Sequence, residues 1–284
     1  MSSMKKTVCI LLILILIVSV SLGVFACGKA SISSDEPYYR YAYDARSDSF
    51  IKTSAALVFK DNFSTFEYSF GGGDLIVYGA VEHTDAPDSY IITCNDEMVA
   101  LVTERYRESL IANGADDSKL ALFDAVAANI TPRSQYFAYD GKLFTGDAVE
   151  LFREPEADSD SFEGVYRMDS ADDLVRLRGG FAYSKDENGE FTVKSGRYTV
   201  SRGILTFVSI DGNGKDKYAN GILMRKRYYM AKITIPSDAT LLDKGFEEQL
   251  ESSPFATKIN ADISAYAGKT IAVLCDSFFS NEMQ

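Results

Sequence analysis

The sequence predicts a mainly β chain with a few helices (α+β), built of antiparallel meanders that form small barrel or sandwich units, possibly duplicated, with a two-helix insertion in the first half. Three observations carry this expectation. Apolar and polar residues alternate from Ala56 to Tyr68 around Lys60-Asp61-Asn62, the period of a half-buried hairpin. Glycine-bearing polar turns recur between Val165 and Ile235 at the spacing that short antiparallel strands require. Between Glu97 and Ile130 the apolar residues change to helical spacing.

The elements are expected in the following order. Leu75 to Val81 and Tyr90 to Cys94 read as strands, separated by the polar stretch Glu82 to Ser89 in which Pro87 interrupts pairing. The first helix, Glu97 to Asn113, carries Met98, Leu101, Val102, Tyr106 and Leu110 and stops at Asn113-Gly114; the second, Ser118 to Ile130, carries Leu122, Phe123 and Val126. Both helices are amphipathic and should cover a sheet edge or end. Ser134 to Phe144 returns to strands about Asp140-Gly141, and an acidic, proline-containing linker spans Glu154 to Ser161. In the second half the turns fall at 185–189, at Ser195-Gly196, at 201–203 and at 211–214. A helix from Leu241 to Glu251 and a last strand within Thr270 to Phe279 complete the chain. Leu75 to Cys94 and Phe191 to Ser209 share an order of strand, break and strand, a weak sign of internal duplication. The organisation expected is a signal peptide at 1–26, a tether and first strand at 27–49, a β unit at 50–153 with its helical insertion at 97–130, a β-meander at 162–236, and a terminal helix and strand at 237–284.

The N-terminus sets the expected location. Lys5 and Lys6 precede an apolar run from Val8 to Ala26 that closes on Val24, Phe25, Ala26 and Cys27. A positive flank, an apolar centre and a small-residue exit make a signal peptide. The exit resembles the lipobox of bacterial lipoproteins, departing from it at Phe25, and the resemblance implies that Cys27 is lipidated and that the body sits on the outer face of a membrane. The same residues also fit ordinary signal-peptidase cleavage, and the run is long enough to span a bilayer uncleaved. Aromatic-rich meanders behind a lipobox look like the uncharacterised lipocalin-like lipoproteins of Gram-positive bacteria. That likeness implies a calycin-type barrel able to enclose a small apolar ligand and supplies no catalytic residues.

Composition narrows the function. Removal of residues 1–26 takes Lys5 and Lys6 and moves the formal charge from −12 to −14, which argues against nucleic acid or anionic lipid as partners. With 46% apolar residues, 17 Tyr and 18 Phe the chain can bury a substantial core. The single histidine, His83, leaves little from which to build a Ser-His-Asp triad or a multi-histidine metal site, and it reads as a surface residue. Neither a cofactor nor a catalytic set is expected. Cys94 and Cys275 are either bridged or two separate buried thiols.

The candidate sites are these. Asp211, Asn213 and Asp216 stand at calcium-chelating spacing but lack the terminal glutamate of an EF-hand loop, and turn chemistry accounts for the same residues. Phe191, Val193, Tyr198, Val200, Leu205 and Phe207, paired two apart along their strands, are expected to share one interior and to line a ligand cavity. Tyr38, Tyr39, Tyr41 and Tyr43 form an aromatic opening strand, and Arg225, Lys226 and Arg227 a basic knot. Two functional classes follow. One is a membrane-anchored protein that binds a small apolar ligand or an envelope partner; the other is an envelope hydrolase using two of the 41 acids.

Overall fold

The computed structural model describes residues 32–70, 75–130, 132–146, 149–153, 162–167, 174–239 and 264–281, and among these described residues are eighteen strands and two α-helices. The apolar N-terminal run, Cys27, the 154–161 linker and the helix expected at Leu241 to Glu251 lie outside the described residues.

Seven strands come first: β1 (Pro37–Asp44), β2 (Ser49–Lys60), β3 (Thr65–Phe70), β4 (Leu75–His83), β5 (Ser89–Cys94), β6 (Arg133–Tyr139) and β7 (Lys142–Thr145), with α1 (Asp96–Ala112) and α2 (Asp117–Ala127) between β5 and β6. Ten strands follow: β8 (Val149–Arg153), β9 (Gly164–Arg167), β10 (Leu174–Arg178), β11 (Phe181–Lys185), β12 (Phe191–Ser201), β13 (Ile204–Ser209), the short hairpin β14 (Tyr218–Ala219) and β15 (Ile222–Leu223), β16 (Arg225–Thr234) and β17 (Thr270–Cys275). The last is β18 (Ser277–Ser280).

Pairing sorts these strands into two closed eight-stranded antiparallel barrels. The first is the meander β1 to β7, closed by β18 between β7 and β1. The second runs β8 to β13, then β16 and β17, and closes where β17 pairs with β8. The second barrel is therefore inserted whole into the connection between the seventh and eighth strands of the first. Closure matters physically because it removes the exposed strand edges that would otherwise template aggregation.

Several expected boundaries shift accordingly. Residues 149–153, assigned to the end of the first β unit, belong to the second barrel, and the 37–44 strand belongs to the first. The apolar run Thr270 to Phe279 is two strands in two different barrels, divided at Asp276, whose carbonyl accepts a hydrogen bond from the Tyr43 amide (2.9 Å). No turn forms at Ser195-Gly196. That pair lies inside β12, where the register skips from Ala182↔Gly196 to Tyr183↔Lys194 and Ser195 bulges out. The two segments read as a repeat occupy different ranks, the fourth and fifth strands of the first barrel against the fifth and sixth of the second.

Local chemistry explains the turns. Asp140 and Gly141 both have positive φ (53° and 69°), as a two-residue hairpin in a primed turn requires. At the start of α2 the Asp116 side chain accepts from the Lys119 amide (2.9 Å), and this bond, with that from Ser118, holds its carboxyl below the usual carboxylate range.

Three apolar clusters organise the body. Tyr38, Leu57, Phe59, Phe66, Tyr68 and Val77 are among the side chains that fill the first barrel, joined by Val102 of α1 and Phe123 of α2; the helices thus pack on the barrel's contents. Leu151, Tyr166, Leu177, Ala182, Leu205, Tyr228, Met230 and Leu274 fill the second. The third cluster lies between the barrels, where Phe137, Phe144 and Phe278 of the first meet Phe152, Tyr229, Ala231, Ile233 and Val273 of the second. Strand β16 illustrates the arrangement: Tyr228 and Met230 point into its own barrel, Tyr229 and Ala231 toward the neighbour, so both faces are apolar.

Candidate functional site

The six residues expected to line one interior separate into two groups. Tyr198, Leu205 and Phe207 do meet in the cluster inside the second barrel. Val193 and Val200 are 49% and 46% exposed, and Phe191 lies beneath Arg176, whose guanidinium carbon is 4.9 Å from the ring centroid. Strand lengths explain the difference. β11 pairs with β12 no further than Phe181↔Arg197, so Val200 runs beyond its neighbour and has a flanking strand on one side only. The Ser195 bulge and a second register shift near Lys185 turn the start of β12, with Phe191, onto the outer surface. Gly196 is required at its position because a Cβ there would stand 2.3 Å from the Phe207 ring, and that ring occupies the space a side chain would take.

The 211–216 loop is a turn. The Asp211 carboxylate accepts from the amides of Asn213 (2.9 Å) and Lys215 (2.8 Å), and Asp216 forms a two-pronged pair with Arg197 (3.0 and 2.9 Å) that keeps its carboxyl below the usual range. Asp211 Oδ1 thus serves two backbone amides and both Asp216 oxygens serve a guanidinium, the bonding of a closed turn. Cys94 and Cys275 are two separate buried cysteines, and burial pushes the Cys94 thiol up to about 12.

Both remaining clusters read from the sequence contribute residues to the barrel junction. Tyr38 is buried inside the first barrel and its hydroxyl accepts from the Ser33 amide (2.6 Å). Tyr41 stacks on its strand partner Phe278 on the junction-facing side of the first barrel (centroids 5.7 Å), and Tyr43 donates across to the Arg225 carbonyl of the second (3.1 Å). From the basic knot, Arg225 and Arg227 both grip Asp48, in the β1–β2 turn, at 2.7 and 2.5 Å. Tyr229 donates to Asp140 (2.8 Å). Polar latches between the two barrels thus ring an aromatic centre.

An open cleft of about 460 Å³ lies on the outside of the first barrel. Register builds it: Glu82 pairs with Ile91, and Ile91 with Gln135, so these three side chains form a row across β4, β5 and β6. Arg133 sits beside the row, 3.7 Å from Glu82, and the segment Pro236 to Ala239 that leaves β16 makes the opposite wall. The Ser237 amide donates to both Asp85 oxygens (3.1 and 3.3 Å), and hydrogen bonding from the Ser237 side chain and then from this amide holds that carboxyl below its ordinary pKa. Gln135, buried, donates to Ser89 (3.2 Å). His83, exposed at the rim, meets Tyr90 edge-on at 5.2 Å, and Tyr90 stacks on Phe63. Comparison with protein-family models, curated proteins and solved structures finds no match.

This constellation has no sequence signature. Glu82, Gln135 and Ser237 come from segments far apart in the chain, and only strand register places the first two on one row. The cleft offers carboxylates, a guanidinium, an amide and an imidazole, with Ile91, Pro236 and Ala239 as its apolar lining, which suits recognition of a polar ligand through convergent hydrogen bonds.

Proposed function

We propose that this protein is an extracytoplasmic, membrane-anchored binding protein, without catalytic activity of its own, that engages a polar envelope partner on the outside of its first barrel. The observation that carries this reading is where space is found. The barrel interiors are occupied by the chain's own large side chains, with Phe59, Phe66 and Tyr166 each no more than 1% exposed, whereas the polar cleft stands open. Such packing favours an external site over the enclosed apolar ligand suggested by the lipocalin-like resemblance. The paired-carboxylate hydrolase is disfavoured by the cleft's chemistry. A general acid needs a carboxyl held protonated, whereas Asp85, one of the three carboxylates lining the cleft, is held below its ordinary pKa by Ser237.

The anchor is supported by the signal-like run ending in Ala26-Cys27. Metabolic labelling with a fatty-acid analogue should mark the wild-type chain and not Cys27→Ser; equal labelling of both would rule the lipid out. For the cleft, a photo-crosslinking residue placed at His83 in living cells should give one discrete adduct that disappears when Arg133→Glu is added. The same residue at Ser109, exposed on α1, should give none. Identical adduct patterns from the two positions would sink the assignment.

A further inference from the structure

On the outer surface of the second barrel, β10, β11 and β12 build a checkerboard of cations and aromatic rings. Register places Arg178, Phe181 and Arg197 in one row across the three strands, and Arg176, Tyr183 and Lys194 in the next. Lys185 and Phe191 pair in a third. Phe181 and Tyr183 stand on the middle strand and Phe191 on β12, and neighbouring cations cover them: Lys194 lies 3.9 Å from the Phe181 centroid, Arg178 5.4 Å from Tyr183, Arg176 4.9 Å and Lys185 5.7 Å from Phe191. Arg197 is neutralised by Asp216. Among the described residues, no acid forms an ion pair with Arg176, Arg178, Lys185 or Lys194. A chain of formal charge −12 therefore concentrates four cations on one sheet face.

We propose that this face binds an extended polyanion of the cell envelope, a polymer that carries phosphate groups at regular intervals. Three features point to such an occupant. Like charges this close repel one another and are relieved by an anionic partner. Side chains two apart on a strand stand roughly 6.8 Å from each other and those two strands apart about 10 Å, so the cations form a lattice that a repeating chain of charges can follow but a single small anion cannot fill. A guanidinium over a ring face spends none of its N–H groups on that contact, and those groups are what grip a phosphate with two parallel hydrogen bonds. Because the rings are covered by cations, the surface suits a charged polymer better than the hydrocarbon of a bilayer. The face shares no residue with the cleft on the first barrel, so either reading can fail without the other.

The test uses the full chain in neutral detergent micelles and fluorescently labelled inorganic polyphosphate, followed by anisotropy. Binding should weaken steeply as salt rises, as counterion release demands, and orthophosphate should compete only at far higher concentration. The triple variant R176Q/R178Q/K194Q should lose affinity by about tenfold or more. K119Q/K217Q/K269Q removes the same charge elsewhere and should bind within about twofold of wild type. If the first triple variant melts early, the single R178Q, at an exposed position, should still weaken binding measurably. Equal losses in the two triple variants would reduce the effect to net charge and overturn the proposal. It is likewise overturned if R176Q/R178Q/K194Q changes association with vesicles containing anionic phospholipid while leaving polyphosphate binding unaltered.

Discussion

Truncation after Asp276 is expected to unfold the first barrel. The eight residues removed include β18, the only strand between β7 and β1. Its register is specified on both sides, by Tyr39↔Ser280 to Ala42↔Ser277 on one and by Phe279↔Leu143 on the other. Phe279 is 2% exposed inside the first barrel and Phe278 7% exposed at the junction. Loss of two buried phenylalanines costs about 3 to 5 kcal/mol each, before the ladder hydrogen bonds of two broken edges are counted. That sum reaches the whole stability of an ordinary domain, about 5 to 15 kcal/mol. Limited proteolysis should then cleave rapidly within residues 32–146 and more slowly within 174–276, because the second barrel keeps all eight of its strands. A truncated chain that melts in one transition at the wild-type temperature would show that β18 does not close the barrel.

The largest single-residue effect is expected at Phe278. Its ring lies within 5.7 Å of Tyr41, 5.1 Å of Phe50 and 5.2 Å of Tyr229, with Phe144 at 6.3 Å. Two of these rings come from the first strands of the chain, one from the inserted barrel and one from β7, so Phe278 is the point where every part of the junction meets. Phe278→Ala should cost about 3 to 5 kcal/mol through the lost contacts and the cavity left behind, with about 0.5 to 1.5 kcal/mol more for each well-placed aromatic pair. Phe278→Leu keeps most of the volume and should cost no more than about 1.5 kcal/mol. Equilibrium denaturation reads both values. A loss below about 1 kcal/mol for the alanine variant would mean that the junction can close over the gap.

This dependence on a few terminal residues is a consequence of the topology. A domain inserted into the last connection of a barrel forces the closing strand to arrive after some 130 intervening residues, and such long-range pairing pays its loop-closure cost before any contact repays it. The short distance between β17 and β18, one residue at Asp276, offsets this: once the second barrel has formed, its final strand delivers β18 directly to the gap.

How much of this was legible in the residues differs from one element to the next. The Asp140-Gly141 turn and the apolar spacing of the two helices are local, because a positive φ or a helical period is set by neighbours in the chain; both appear where the sequence indicated. The glycine-turn spacing of the second half likewise pointed to a small antiparallel barrel or sandwich, and the closed barrel is what the structure adds. The apolar run from Thr270 to Phe279 could not reveal its division, since a strand buried on both faces loses the alternation that marks a boundary. Ser195-Gly196 looked like a turn because glycine carries the same local signal at a bulge. The outward position of Phe191 depended on that bulge.

The cleft and the basic face lie at the far end of this scale. Glu82, Ile91 and Gln135 share a row only through strand register, and Arg176, Tyr183 and Lys194 become neighbours the same way. A net charge of −12 concealed the cations of the second barrel, because composition sums charges that folding distributes over separate faces. The sequence by itself determined the β class, the helical pair, the Asp140-Gly141 turn and the expectation of an anchor, all of which rest on contiguous residues. Tertiary structure alone decided which strand closes which barrel, where the barrels join and which charges stand together, because pairing partners are chosen by burial and register between segments that share no local signal.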